Sequence, residues 1–171
     1  HINAGANTGF PHMDPSANRV AKGDILKADT GGFYRRYYSN VGRTAKMGKP
    51  TGEDNSWWRR LRDIHHEIID MVRPGNTGAQ LFERATRLHE KHAIPFPYAH
   101  NGHGIRLQIH EHPLISPHES IPYEAGMMTT VETRVRWPGK VGYHMEDLIE
   151  VTESAPILRS DYFDNEDIMV V

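Results

Sequence analysis

Between residues 54 and 72, Trp58, Leu61, Ile64, Ile68, Met71 and Val72 recur at steps of three and four. That period predicts an amphipathic helix with one buried stripe. Arg59, Arg60 and Arg62 form its solvated face, Trp57 and Trp58 read as packing residues, and Pro74-Gly75 ends it. Thr77 with Gln80 three residues on is a capping-box pattern. It opens a second helix that buries Leu81, Ala85 and Leu88 and fades near Ala93. Elsewhere the apolar runs are short and bounded by Gly, Pro and Asn, which predicts strands. Lys22-Gly23-Asp24 turns into a strand over 25–29, and Gly31-Gly32 turns into an aromatic strand over 33–39. Further strands are expected around 106–110, 127–136, 142–144 and 146–152, with one short strand within the Gly/Asn/Pro-rich residues 1–22. No repeat or low-complexity tract interrupts the pattern. The expectation is one α+β domain over residues 1–171, two helices set against antiparallel strands.

Composition narrows the function more than the fold. Twenty basic and 22 acidic side chains leave a net charge of −2, which gives no electrostatic case for nucleic acid. No run approaches 18 apolar residues, so no membrane-spanning helix is expected. Cysteine is absent, which excludes disulfides, thiolate metal sites and thiol nucleophiles and fits a cytoplasmic protein. The first residues, from His1 to Gly5, have neither a basic nor an apolar signal-peptide region and no initiator Met, so a fragment or a processed chain is expected.

Twelve histidines are the unusual number, and their placement matters more than their count. His103 lies between Gly102 and Gly104, an arrangement that lets backbone and substrate approach closely. His110 follows seven residues later. Glu132 and Glu146 fall within apolar, strand-like runs, where a carboxylate must be paired or must bind a cation. For Glu132, Arg134 and Arg136 are the available ion-pair partners. Asp29 ends the first strand, and in a hairpin it can share a cleft with position 40, eleven residues on. One imidazole with several carboxylates is an oxygen-rich set suited to manganese, iron, cobalt or zinc. His65, His66, His89, His92, His100, His112 and His118 read as surface or packing residues.

The order Asp29, position 40, Gly-His103-Gly, Val-Glu132 and His-Met-Glu146-Asp resembles the Asp, Asp, His, Glu, Glu series of the creatinase, Xaa-Pro peptidase and methionine aminopeptidase superfamily. Arg43-Thr44, Pro138-Gly139 and the run from Glu146 to Glu153 resemble the Xaa-Pro peptidase branch, as do Asn7, Pro11 and His12. The likeness covers residues 5–153 and implies a pita-bread fold that lacks most of its first αβ half. It implies metal ligation by Asp29, Asn40, His103, Glu132 and Glu146, with one or two ions of Mn, Co, Fe or Zn. It also implies that His12 and His110 stabilise the developing oxyanion while Glu132 moves protons. The implied reaction is hydrolysis of a C–N bond in an imide or amide, such as an Xaa-Pro peptide. The implied partners are a small molecule or short peptide, and a second copy or a missing N-terminal segment. Two positions depart from the pattern. Asn40 replaces a bridging Asp, which removes a charge and weakens any two-ion site. His144 stands where many Xaa-Pro peptidases carry an Arg behind the last ligand. The loss of an Asp also leaves open a metal-free hydrolase or lyase of the creatinase type, or an inactive binding module.

Overall fold

The computed structural model describes residues 1–161 and 166–171. Among these residues nine strands form one sheet. Seven lie along a path in the order β1 (Ile2–Ala4), β2 (Ile25–Thr30), β5 (Val41–Lys46), β9 (Val141–Glu150), β8 (Met128–Trp137), β6 (His103–Gly104) and β7 (Glu111–Leu114). The short β10 (Ile157–Leu158) pairs with β9, and β11 (Met169–Val170) runs parallel to β5; every other pairing in this sheet is antiparallel. A separate two-stranded hairpin, β3 (Phe33–Tyr34) with β4 (Tyr37–Tyr38), projects between β2 and β5.

Both expected helices form. α1 spans Gly52–Ile69 and α2 spans Gly78–Lys91. Thr77 accepts a hydrogen bond from the Gln80 amide while Gln80 reaches back to the Thr77 amide, as the sequence suggested. α1 starts earlier than expected because Thr51 and Asp54 make a second capping box. Its stripe of Trp58, Leu61, Ile64 and Ile68, with Val72 beyond its end, is buried to within 1%. These side chains pack on Val131 and Val135 of β8 and on Tyr143, Met145 and Ile149 of β9. Odd-numbered positions of these two long strands therefore face the helices, and alternation turns the even-numbered ones to the opposite face. That second face carries the site.

Three strand expectations need correction. Residues 106–110 are a bend, because Glu111 Oε1 accepts hydrogen bonds from the Leu107 and Gln108 amides and folds the segment onto itself. Residues 33–39 double back, with the reversal at Arg35 and Arg36, both at positive φ, instead of at Gly31-Gly32. The separate strands at 142–144 and 146–152 are one ten-residue strand, β9, whose ladder to β8 runs unbroken from Met128↔Glu150 to Trp137↔Val141. Among the described residues no helix is long and apolar enough to cross a membrane.

Candidate active site

Backbone pairing sets the site's geometry. Asp29 on β2 is the register partner of Gly42 on β5, Gly42 of Glu146 on β9, and Glu146 of Glu132 on β8. Three acids and one glycine thus form a single row across four strands. Neighbours in such a row lie about 4.5–5.5 Å apart at Cα. His144 shares a face with Glu146 two residues away. From the other side, Asn101 is held by two backbone bonds, its amide to Ile115 O at 2.8 Å and its carbonyl to the Glu132 amide at 2.8 Å. This carries His103 to the row. Gly102, at φ +144°, passes so close to Thr130 that a Cβ would sit 2.1 Å from its carbonyl oxygen.

The expected residues meet in one cleft of about 520 Å³, lined by His12, Asp29, Asn40, His103, His110, Glu132 and Glu146. His12 Nε2 lies 3.4 Å from Asp29 Oδ2. The buried Lys27 ammonium secures that contact by donating to the carbonyls of Phe10, at 2.5 Å, and Pro11, at 2.7 Å. Burial, with Arg136 nearby, lowers the Lys27 amine to about 8. The His103 and His110 rings stand 4.1 Å apart. Burial and the neighbouring His103 lower the His110 pKa.

Glu146 is the most constrained acid. Burial works against its ionisation, but His103 and His144 outweigh that cost and hold its carboxyl well below the usual range. Its Oε2 accepts 3.0 Å from the Asn40 side-chain amide, and its buried Oε1 has no hydrogen-bond partner. His103 Nδ1 bonds Gly104 O at 3.1 Å, and its Nε2 faces Glu146 Oε1 at 3.5 Å. Burial alone would lower the His103 pKa, but the hydrogen bond and charge of Glu146 outweigh it and raise it.

Two expected ligands are differently engaged. Asn40 turns its N–H toward Glu146, so a donor occupies ground that a bridging carboxylate would open to an ion. Glu132 is ion-paired through Oε2 with Arg134 at 2.8 Å, and Arg136 lies 3.8 Å from Oε1. Arg134 also donates to the carbonyls of Glu132 and His100, 3.0 Å each, and lies over the Tyr98 ring. Two further histidines enter the site, His100, which the sequence placed at the surface or in packing, and His144, expected behind Glu146. His100 approaches Glu132 at 3.7 Å. His144 is wholly buried between Glu132 Oε1, at 3.8 Å, and Glu146 Oε2, at 3.5 Å. The sequence signal for His144 was its two-residue offset from Glu146 within a strand.

The orphaned Glu146 Oε1 and the two unpartnered nitrogens of His144 fit a cation. The N–H of Asn40 and the guanidinium of Arg134 leave the same donor set ill-suited to a second one. A larger cavity, about 630 Å³, lies beside the start of α1. Its acid Asp54 is already bound by Lys46, Thr51 and Tyr143, so it serves the fold.

Comparison with known proteins agrees with this architecture. The chain is 28% identical over 154 residues to the Xaa-Pro dipeptidase of Pyrococcus furiosus, covering 90% of this chain and 44% of that protein. It is 30% identical over 147 residues to the Xaa-Pro dipeptidase of Lactobacillus delbrueckii subsp. lactis, covering 85% and 40%. The crystal structure of dipeptidase PepE from Mycobacterium ulcerans superposes with a TM-score of 0.92 at 31% identity, covering 99% of this chain and 46% of that one. The recombinant prolidase of Thermococcus sibiricus follows at 0.91 and 26%, with the same coverage. The chain therefore spans less than half the length of these relatives, and its α+β fold is that of the corresponding part of a pita-bread domain. The sequence profile of metallopeptidase family M24 matches residues 1–153, and the chain belongs to that family.

Proposed function

We propose that the cleft hydrolyses the C–N bond of a short peptide, with Xaa-Pro substrates the preferred class, and that it depends on a divalent metal. The observation that carries this reading is the convergence of Asp29, His103 and Glu146 beside His12, His110 and Glu132 in one cleft. Its support from relatives is the family and the Xaa-Pro dipeptidases that resemble it. A divalent ion held by Asp29, Glu146 and an imidazole of the cleft would supply an activated water and a polarised carbonyl.

The chain's own residues do the rest. His110, standing beside His103 and drawn down toward neutrality, donates a hydrogen bond to the oxygen that gains charge as the carbonyl becomes tetrahedral. His12, held against Asp29 by the Lys27 clamp, orients the substrate from the opposite wall. Glu132 is anchored through Oε2 by Arg134, which leaves Oε1 as the atom that accepts the proton from water and passes it to the departing nitrogen.

The test is hydrolysis of Ala-Pro and Ala-Ala by the purified protein, after Mn²⁺ or Co²⁺ loading and after exhaustive chelation. Faster cleavage of Ala-Pro, lost on chelation and restored by metal, is the expected result. Cleavage that survives chelation would favour metal-free chemistry of the creatinase type, for which the pairing of Asn40 with Glu146 speaks. No cleavage of either peptide would sink the hydrolase reading for this chain.

A further inference from the structure

His144 takes no part in the chemistry above, yet it is placed like a ligand. Its ring is wholly buried and neither nitrogen has a hydrogen-bond partner. Leaving a buried polar group unsatisfied is costly. The space it occupies exists because residue 42 is glycine. A Cβ there would stand 2.1 Å from His144 Cδ2 and 2.3 Å from Nε2. Gly42 is also the register partner of both Asp29 and Glu146, so the ring leans into the gap between those two acids. One ligand atom each from Asp29, His144 and Glu146 lie within 4.8 Å of one another, the one such grouping among the described residues.

The positions that would hold a second ion are occupied differently. Asn40 donates an N–H to Glu146 Oε2, and Arg134 is ion-paired with Glu132 Oε2. We propose that this protein binds a single divalent ion through Asp29, His144 and Glu146, with His144 as a ligand outside the series of five that its family resemblance implies. The proposal rests on the metal-dependent reading of the cleft. One imidazole and two carboxylates suit Mn²⁺, Fe²⁺, Co²⁺ or Zn²⁺, and three protein ligands leave coordination positions open to water or substrate.

Two measurements on the purified protein decide it. Co²⁺ titration, with bound metal counted by mass spectrometry, is expected to give one ion per chain, with affinity falling more than tenfold in His144→Ala. Pulsed EPR of the Cu²⁺-loaded protein is expected to show imidazole nitrogen modulation that persists in His103→Ala and disappears in His144→Ala. Two ions bound with equal affinity, no bound ion, or modulation that vanishes in His103→Ala would overturn the assignment. If His144→Ala does not fold, the His103→Ala spectrum decides alone. Peptide cleavage by a protein with two ions, neither of them on His144, would sink this inference and spare the hydrolase reading. One ion on His144 with no cleavage of any peptide would do the reverse.

Discussion

Single side chains set the tolerances of the cleft, and Gly42 sets the tightest. Gly42→Ala drives a methyl group into the His144 ring from about 2 Å. The expected cost is about 1–3 kcal/mol of overpacking strain, read as a lower urea midpoint at unchanged slope. An unchanged midpoint would mean that the ring moves freely and is not held where it lies. His89 gives a prediction of a different kind. Burial holds its imidazole down at about 4, against an Ala85 carbonyl contact of 2.8 Å that pulls upward. An unfolded chain takes up that proton near pH 6.5. Between about pH 6.5 and 4 the unfolded state therefore binds more protons, so stability falls as pH drops through this window and is unaffected above it. The gap corresponds to roughly 3 kcal/mol. His89→Gln should lose less stability than the parent between pH 7 and 4.5, measured by denaturant unfolding at each pH; equal losses would exclude His89 as a source. Reading the sequence alone placed Asp29, His103, Glu132 and Glu146 near one another because motif order carries that information. It missed His100 and the ligand-like setting of His144. Their roles depend on which way a ring turns, and no spacing rule encodes the absence of a Cβ on the neighbouring strand.

At the level of elements, the helices were the most legible part. A buried stripe repeating every three or four residues has few alternatives, and the Thr77 box appears where the sequence put it. Thr77→Ala should cost about 1 kcal/mol through the lost cap, and Trp58→Ala about 3–5 kcal/mol through the cavity left against the sheet. Chemical denaturation of both variants checks the ranking as well as the sizes. The strands were less legible for a physical reason. β9 is buried on both faces over 142–147, so its polarity does not alternate as a half-exposed strand's does. His144, Glu146 and Asp147 interrupt an otherwise apolar run because each has a buried partner or neighbour, Asp147 through His65 and Arg43. The 106–110 bend depends on a carboxylate a few residues further along, Glu111, a contact invisible to periodicity.

Across the whole molecule, the cleft and the core share the same two long strands, so occupancy of one should be felt by the other. A ligand that binds the folded chain alone raises its stability by about 2.7 kcal/mol at a hundredfold excess over Kd. Adding Mn²⁺ or Co²⁺ should therefore raise the melting temperature, and His144→Ala should abolish most of that rise. A rise that survives in the variant would place the ion elsewhere. The row formed by Asp29, Gly42, Glu146 and Glu132 has a further consequence. Its members are spaced by hydrogen bonds between adjacent strands, so the charge pattern on the cleft floor is as invariant as the sheet itself. The walls are different. The segments around Tyr98 and Ile109, which line the cleft, lie outside the long strands and can change sequence without shifting the floor. Ligand selectivity can thus drift in the walls while the acids of the floor keep their spacing.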